Sequence, residues 1–157
     1  MKAVWIQFFS ILFLTVAAAC GPAGNALLPG ADVLEFGPEN TLFIGDSRQG
    51  MVYAVPVVPG EKPEGPASFN FADVDRKLGR VLGLDPRDIL IQDLKVHPAT
   101  QQAYLAVRMG ASPDAKSVIA VVAPGSDEIK LLDVSGPDVT SVELQDLASG
   151  EITFWEQ

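Results

Sequence analysis

The sequence predicts a mainly β protein of antiparallel, blade-like repeats, a partial β-propeller, with one short helix inserted between the blades. Three observations carry that expectation. Asn40 to Val55 reads as an apolar strand, a polar turn and a second apolar strand, and the same order returns between Gln101 and Val122. Each hairpin is preceded by a short strand ending in a proline turn, Val33-Leu-Glu-Phe-Gly-Pro38 and Leu94-Lys-Val-His-Pro98. Between the two units, one segment switches from alternating apolar spacing to a helical period.

Val33–Phe36 and Leu42–Ile44 are short strands joined by Gly37-Pro-Glu-Asn40, a turn-forming sequence. Asp46-Ser-Arg-Gln-Gly50 makes the next turn, and Met51–Val58 the next strand. Pro56 has no N–H to give a neighbour, so the end of that strand lies at an edge or leaves the sheet. Proline and glycine dominate 59–67, which reads as a loop. Asp73 stands where a helix N-cap belongs, and Val74, Leu78, Val81 and Leu82 then fall on one helical face. Gly83 and Asp85-Pro86 end that helix. Gly79 in its middle costs about 1 kcal/mol relative to alanine, so packing on the sheet must hold the helix. Ile89–Val96 returns to strand. Beyond the second hairpin, Glu128–Asp133 and Val139–Leu144 are strand-like, set off by the turn clusters Ala123–Asp127 and Ser135–Asp138.

The two units begin about sixty residues apart, from Pro38 to Pro98, whereas propeller blades repeat every 40 to 50 or so. The intervening loop and helix account for the excess. Lengthening a link from four residues to about thirty raises the closure entropy by only about 2 kcal/mol. Two blades and the start of a third are legible, and closed propellers have about four to eight. An open pair would leave strand edges bare. The expectation is therefore an incomplete propeller domain over 31–157, part of a longer one. Pairing with a second copy, or a small open sheet with one helix, are the alternatives.

Residues 1–19 read as a signal peptide: Lys2, then an apolar run from Val4 to Val16, then Ala17-Ala-Ala19. That run is too short for a bilayer core of about 30 Å. Cleavage at Ala17-x-Ala19 would release a soluble protein. Alternatively, Cys20 with Ala19 before it and Gly21 after it looks like the lipidated cysteine of bacterial lipoproteins, although Ala17 replaces the usual leucine. An uncleaved anchor is the third outcome. Residues 20–30 read as a flexible tether. With one cysteine, Cys20, the chain has no internal disulfide and depends on its core. The formal net charge is −9, and loss of Lys2 makes it more negative. Such a surface disfavours nucleic acid and anionic membrane surfaces.

The run Asp73–Leu84, then Ile91-Gln-Asp-Leu-Lys-Val-His-Pro-Ala-Thr100, then Ala103-Tyr-Leu-Ala-Val-Arg-Met-Gly110 resembles the N-terminal part of a family of uncharacterised secreted bacterial β-propeller proteins. Leu42-Phe-Ile-Gly-Asp-Ser47 ahead of the helix fits the same pattern. The resemblance spans roughly residues 33–144. It implies a blade fold in a longer protein and transfers no catalytic residue.

Leu42-Phe-Ile-Gly-Asp-Ser-Arg-Gln-Gly50 also resembles the nucleophile block of GDS-type esterases, in which a serine at a strand tip attacks an ester. Ser47 would be the nucleophile and His97, the only histidine, its base. In that family the base lies three residues after an aspartate. Here Leu94 holds that position and Asp93 lies one further back, and the family's Asn-Asp pair is missing. The simpler expectation is that Asp46 and Ser47 start a hairpin turn, capping backbone N–H groups, and that His97 is a polar residue of a proline turn. Asp73-Val-Asp75 lacks the glycine and glutamate spacing of a calcium loop. The aromatic pair Phe154-Trp155 reads as strand core or sheet edge.

The residues thus point to an extracytoplasmic binding or scaffold protein, periplasmic, membrane-anchored through Cys20, or secreted. A protein or small-molecule ligand, no cofactor, no metal and no nucleic acid are expected. The alternatives are part of a periplasmic propeller enzyme of the lactonase or quinoprotein type, and an esterase using Ser47.

Overall fold

The computed structural model describes residues 27–65, 69 and 71–144. Along these run β1 (Val33–Phe36), β2 (Thr41–Asp46), β3 (Met51–Pro56), α1 (Val74–Leu82), β4 (Ile89–Val96), β5 (Ala103–Met109), β6 (Ser117–Val122), β7 (Ile129–Leu131) and β8 (Thr140–Glu143). The strands form two four-stranded antiparallel sheets, β1-β2-β3-β8 and β4-β5-β6-β7. The protein is thus mainly β, with two open antiparallel sheets and one helix. The signal segment, Cys20 and the Phe154-Trp155 pair lie outside the described residues.

Within Val139–Leu144, read in the sequence as strand-like, the strand β8 returns to the first sheet. Thr140, Ser141, Val142 and Glu143 pair with Ala54, Tyr53, Val52 and Met51. The free edge of β3 presents unpaired N–H and C=O groups, and the returning strand satisfies them. Pro56 ends β3 beyond the reach of β8, where its missing N–H is of no consequence.

The layers are the first sheet, the second sheet and the helix. Leu34, Leu42, Ile44 and Val55 of the first sheet pack on Tyr104, Ala106 and Ile119 of the second. On the opposite face of the second sheet, Leu105, Val107, Val118 and Ala120 meet Leu78 and Leu82 of α1. Because the second sheet is covered on both sides, Ala103–Val107 is buried without interruption, as in a continuous apolar run. In β2, by contrast, Leu42, Ile44 and Asp46 are buried while Phe43 between them is exposed, the alternation of a sheet covered on one face.

Side chains that pair across strands lie in rows on one face. In the first sheet, Phe36, Leu42 and Val55 form a row, Leu34, Ile44 and Tyr53 the next, and Val33, Gly45, Val52 and Val142 a row on the other face. In the second sheet, Val96, Ala103 and Val122 form a row, Leu94, Leu105 and Ala120 the next, and Asp93, Ala106 and Ile119 a row on the other face.

Two details of α1 differ from the sequence expectation. Asp73 sits in the left-handed region at φ 55° and its side chain caps no N–H; its carboxylate lies 3.5 Å from Arg76 instead. An N-cap reaches the first turn from extended backbone, which this φ forbids. Val81 is exposed; the buried face rests on Leu78, Gly79 and Leu82. Gly79 is buried for a reason: a Cβ there would stand 2.8 Å from the carbonyl oxygen of Leu84. The glycine lets the chain fold back over the helix, closed by the N–H of Leu84 donating to the Gly79 carbonyl at 2.9 Å.

The tether read over 20–30 meets packed structure at its end. Leu28 is buried and exchanges two backbone hydrogen bonds with Ser117, of 2.8 and 2.9 Å. An apolar residue with an unpaired backbone beside the start of β6 gains more from docking than from solvent.

Candidate functional site

Four places among the described residues carry polar or apolar groupings that could act on a ligand. The first is the β2–β3 corner. Asp46 is buried at the end of β2, and its Oδ1 accepts the backbone N–H groups of Arg48 at 3.0 Å and Gln49 at 3.2 Å. This is the turn-capping geometry that aspartate supplies. Burial, and then the Asp46 charge, hold the Tyr53 hydroxyl above its usual 10.0.

Ser47 follows. Its backbone N–H donates to Asp32 Oδ2 at 2.9 Å, and its hydroxyl donates to the same oxygen. Arg48 extends the corner across the molecule, giving its guanidinium to the carbonyl oxygens of Pro113 at 2.7 Å, Ala115 at 3.1 Å and Pro29. Asp32 and Arg48 did not stand out in the sequence. They are single charges with no motif, and only the fold brings their partners, 15 and 67 residues away, alongside.

The second place is the β4–β5 corner. His97 is buried, with 1 % of its surface exposed. Its Nδ1 accepts the N–H groups of Ala99 and Thr100, both at 3.2 Å. That assignment leaves the proton on Nε2, which donates to Asn40 Oδ1 at 3.2 Å. The Phe36 ring meets the imidazole edge-on, with centroids 4.8 Å apart. Burial holds the His97 pKa below its usual 6.5.

The structure does not bring Ser47 and His97 together. His97 is bonded to Asn40, just before β2, and Ser47 follows the end of β2. A six-residue strand separates the two corners, on the order of 20 Å at roughly 3.3 Å per residue. Transfer of the serine proton to that imidazole needs a separation near 3 Å. His97 holds its own turn, whereas the Ser47 hydroxyl, expected to cap a turn N–H, donates to Asp32 and leaves the capping to Asp46.

The third place is an apolar groove of about 300 Å³ on the helix-bearing face of the second sheet. Leu94, Val96, Ala103, Leu105 and Val122 form its floor, and Phe69, Phe71 and Val74 its far wall. Leu94 is 50 % exposed, and Ile91 and Val96 beside it are exposed too. A second apolar surface covers the outer face of the first sheet, where Val33, Phe43 and Val142 are exposed. The groove is lined by apolar side chains only, whereas on the outer face Glu35 pairs with Phe43. Among the described residues, no cluster of three or more histidine, cysteine, aspartate or glutamate side chains is arranged to hold a metal ion. Among the same residues, no helix is long and apolar enough to cross a membrane.

Fold and sites together define a mainly β protein of two antiparallel sheets and one helix, with apolar surface on both outer faces. Comparison with protein-family models, with curated proteins and with solved structures finds no match to this chain.

Proposed function

We propose that this is an extracytoplasmic, β-propeller-like binding or scaffold protein, in which the two sheets are blades. The observation that carries the reading is the match between rows. Leu34-x-Phe36-x-Pro38 aligns with Leu94-x-Val96-x-Pro98. On that alignment Phe36-Leu42-Val55 corresponds to Val96-Ala103-Val122, and Leu34-Ile44-Tyr53 to Leu94-Leu105-Ala120. The first three strands of each sheet thus agree in register, though few of the paired residues are the same. Register is set by which face is buried, so agreement over three strands favours a common unit over coincidence. Commitment of Ser47 and His97 to their corners supports binding over hydrolysis. Export is supported by Lys2, the apolar run Val4–Val16, Ala17-x-Ala19 and Cys20.

A photoreactive residue placed at Leu94 or at Val142 in living cells tests the binding role. Discrete adducts from these two positions, and none from the polar loop position Glu128, are the expected result. Hydrolysis of a p-nitrophenyl ester that disappears in Ser47→Ala would overturn it. Mass spectrometry of the mature N-terminus reads the export route: lipid on Cys20 marks an anchored protein, and a free end after Ala19 a released one.

A further inference from the structure

We propose that β8 is a displaceable latch on the first sheet. It leaves the edge of β3 while the rest of the protein stays folded, so the sheet exists in a three-stranded and a four-stranded form. The two sheets acquire their fourth strands differently. β7 follows β6 across a short turn, and its Ile129 and Leu131 pack on the core shared with α1. β3 instead runs out into loop and helix, and its edge is filled by a strand from the far end of the described chain.

That strand brings no core with it. All four side chains of Thr140–Glu143 are exposed, and Val142, the one apolar residue among them, is 62 % exposed. Burial of apolar surface, the dominant force that holds a strand in a fold, contributes little to β8. Its hold is the backbone ladder with Met51–Ala54. Fixing the backbone of four residues costs entropy of the same order as a few hydrogen bonds return. The chain just before β8 is anchored in another way. Leu132, Val134 and Val139 are half-buried against the core between the sheets, and the Val139 N–H donates to the Gly136 carbonyl at 3.1 Å. Opening therefore begins after Val139 and leaves that core in place.

The hydrogen-bond pattern makes such an opening visible residue by residue. Leu144 N–H donates to the Gly50 carbonyl at 2.7 Å, and Val57 N–H to the Asn40 carbonyl at 3.0 Å. Bonding alternates along an antiparallel pair. From these two fixed points, Val52 and Ala54 bond to β8, and Tyr53 and Val55 bond to β2. One strand thus carries two sets of amides, one sealed by the latch and the other by the neighbouring strand. With β8 away, Val52 and Ala54 present N–H and C=O groups along one edge, the template on which an extended peptide segment adds as a new strand.

Native-state hydrogen exchange, read by NMR on the full chain in its processed form, tests this. After correction for intrinsic rates, Val52 and Ala54, together with Val142 and Leu144, should exchange about a hundredfold or more faster than Tyr53 and Val55. Val142→Pro removes a latch N–H that faces β3, at an exposed position. In that variant Val52 and Ala54 should lose their remaining protection while Tyr53 and Val55 stay protected. Equal protection of the two sets in the unaltered protein overturns the inference, because β8 would then leave only when the whole molecule unfolds. Loss of protection at Tyr53 and Val55 in Val142→Pro also overturns it, because the three-stranded form would then not stand without its latch.

Discussion

Tyr104 and Phe43 hold matching places in the two sheets, yet one is 2 % exposed and the other 38 %. Each is an aromatic residue in the second strand of its sheet, paired with the same neighbours by position: Lys95 and Val121 in one case, Glu35 and Ala54 in the other. Local sequence does not produce the difference. The second sheet lies between the first sheet and α1, and among the described residues the first sheet packs against protein on one face only. A residue's burial here is a property of the layer in which it falls. The difference also explains why β5 reads as an unbroken apolar run and β2 as an alternation.

Truncating the two aromatics measures that contrast directly. Tyr104→Ala empties a site against Phe36, whose ring stands edge-on at 5.1 Å, and should lower stability by about 3–5 kcal/mol. Phe43→Ala removes a half-covered ring and should lower it by roughly 1 kcal/mol. Urea denaturation reads both numbers. Equal losses would mean that the first sheet is covered on both sides as well.

The helix that makes the second sheet different depends on one glycine. In an ordinary helix, Gly79→Ala would stabilise by about 1 kcal/mol. Here the new methyl would press on the Leu84 carbonyl at 2.8 Å, and backbone cannot give way as a side-chain tip can. The expected outcome is a loss of about 1–3 kcal/mol, the range for overpacking. Hydrogen exchange should show the loss concentrated in α1 and the adjoining face of β5 and β6, with the first sheet protected as before. A stabilised Gly79→Ala would show that α1 is not bound by the turn that follows it.

The corners differ as the faces do. In the first sheet, the turn before the second strand contains Asn40 at φ 57°; in the second sheet it contains His97, and the two side chains bond each other. Burial lowers the His97 pKa in the folded state, so the unfolded chain takes up a proton at higher pH than the folded one. Stability is therefore full above the unfolded value of about 6.5 and declines as pH falls below it, levelling off once the folded imidazole also protonates. His97→Gln should remove that decline near neutrality while lowering stability at pH 8 by about 1–3 kcal/mol for the unsatisfied turn groups. An unaltered pH profile would show that the imidazole is solvated rather than enclosed by the two sheets.

Much of this was legible in the sequence, and what was not has a common cause. Strand positions, the Gly83 helix end and the turn-capping role of Asp46 follow from local pattern, because alternation, αL glycine and Asx turns are local physics. The return of β8 to β3 was not legible, since a short, exposed strand such as Thr140–Glu143 does not encode which edge it will join. Leu28 looked like part of a tether because the residue it bridges to, Ser117, lies 89 residues on in sequence. At the sites, turn capping was expected of both Asp46 and Ser47, but only Asp46 caps, because the Ser47 hydroxyl is drawn to the Asp32 carboxylate, which local sequence does not place beside it. The imidazole of His97 was visible as part of a proline turn, but its burial depends on Phe36 and Asn40 from the other sheet.

The smallest expected effect lies where the sheets touch at their first strands. Lys95 Nζ reaches Glu35 Oε2 at 2.8 Å, and Leu34 N donates to Asp93 Oδ2 at 2.8 Å. The Lys95 ammonium, by hydrogen bond and then by charge, holds the Glu35 carboxyl below its usual 4.5. Both side chains are well solvated, so the pair contributes little to stability. It reports position instead, because on the alignment of the sheets Glu35 and Lys95 are counterparts. Lys95→Met should return the Glu35 titration, followed by carboxyl NMR, toward 4.5 without a resolved change in the urea midpoint. With a depressed folded pKa, whatever the pair contributes is present above the unfolded value and fades as pH falls through the folded one. If the Glu35 titration does not move, β1 and β4 are not neighbours in solution, and the two sheets do not share the stacking on which the matched rows depend.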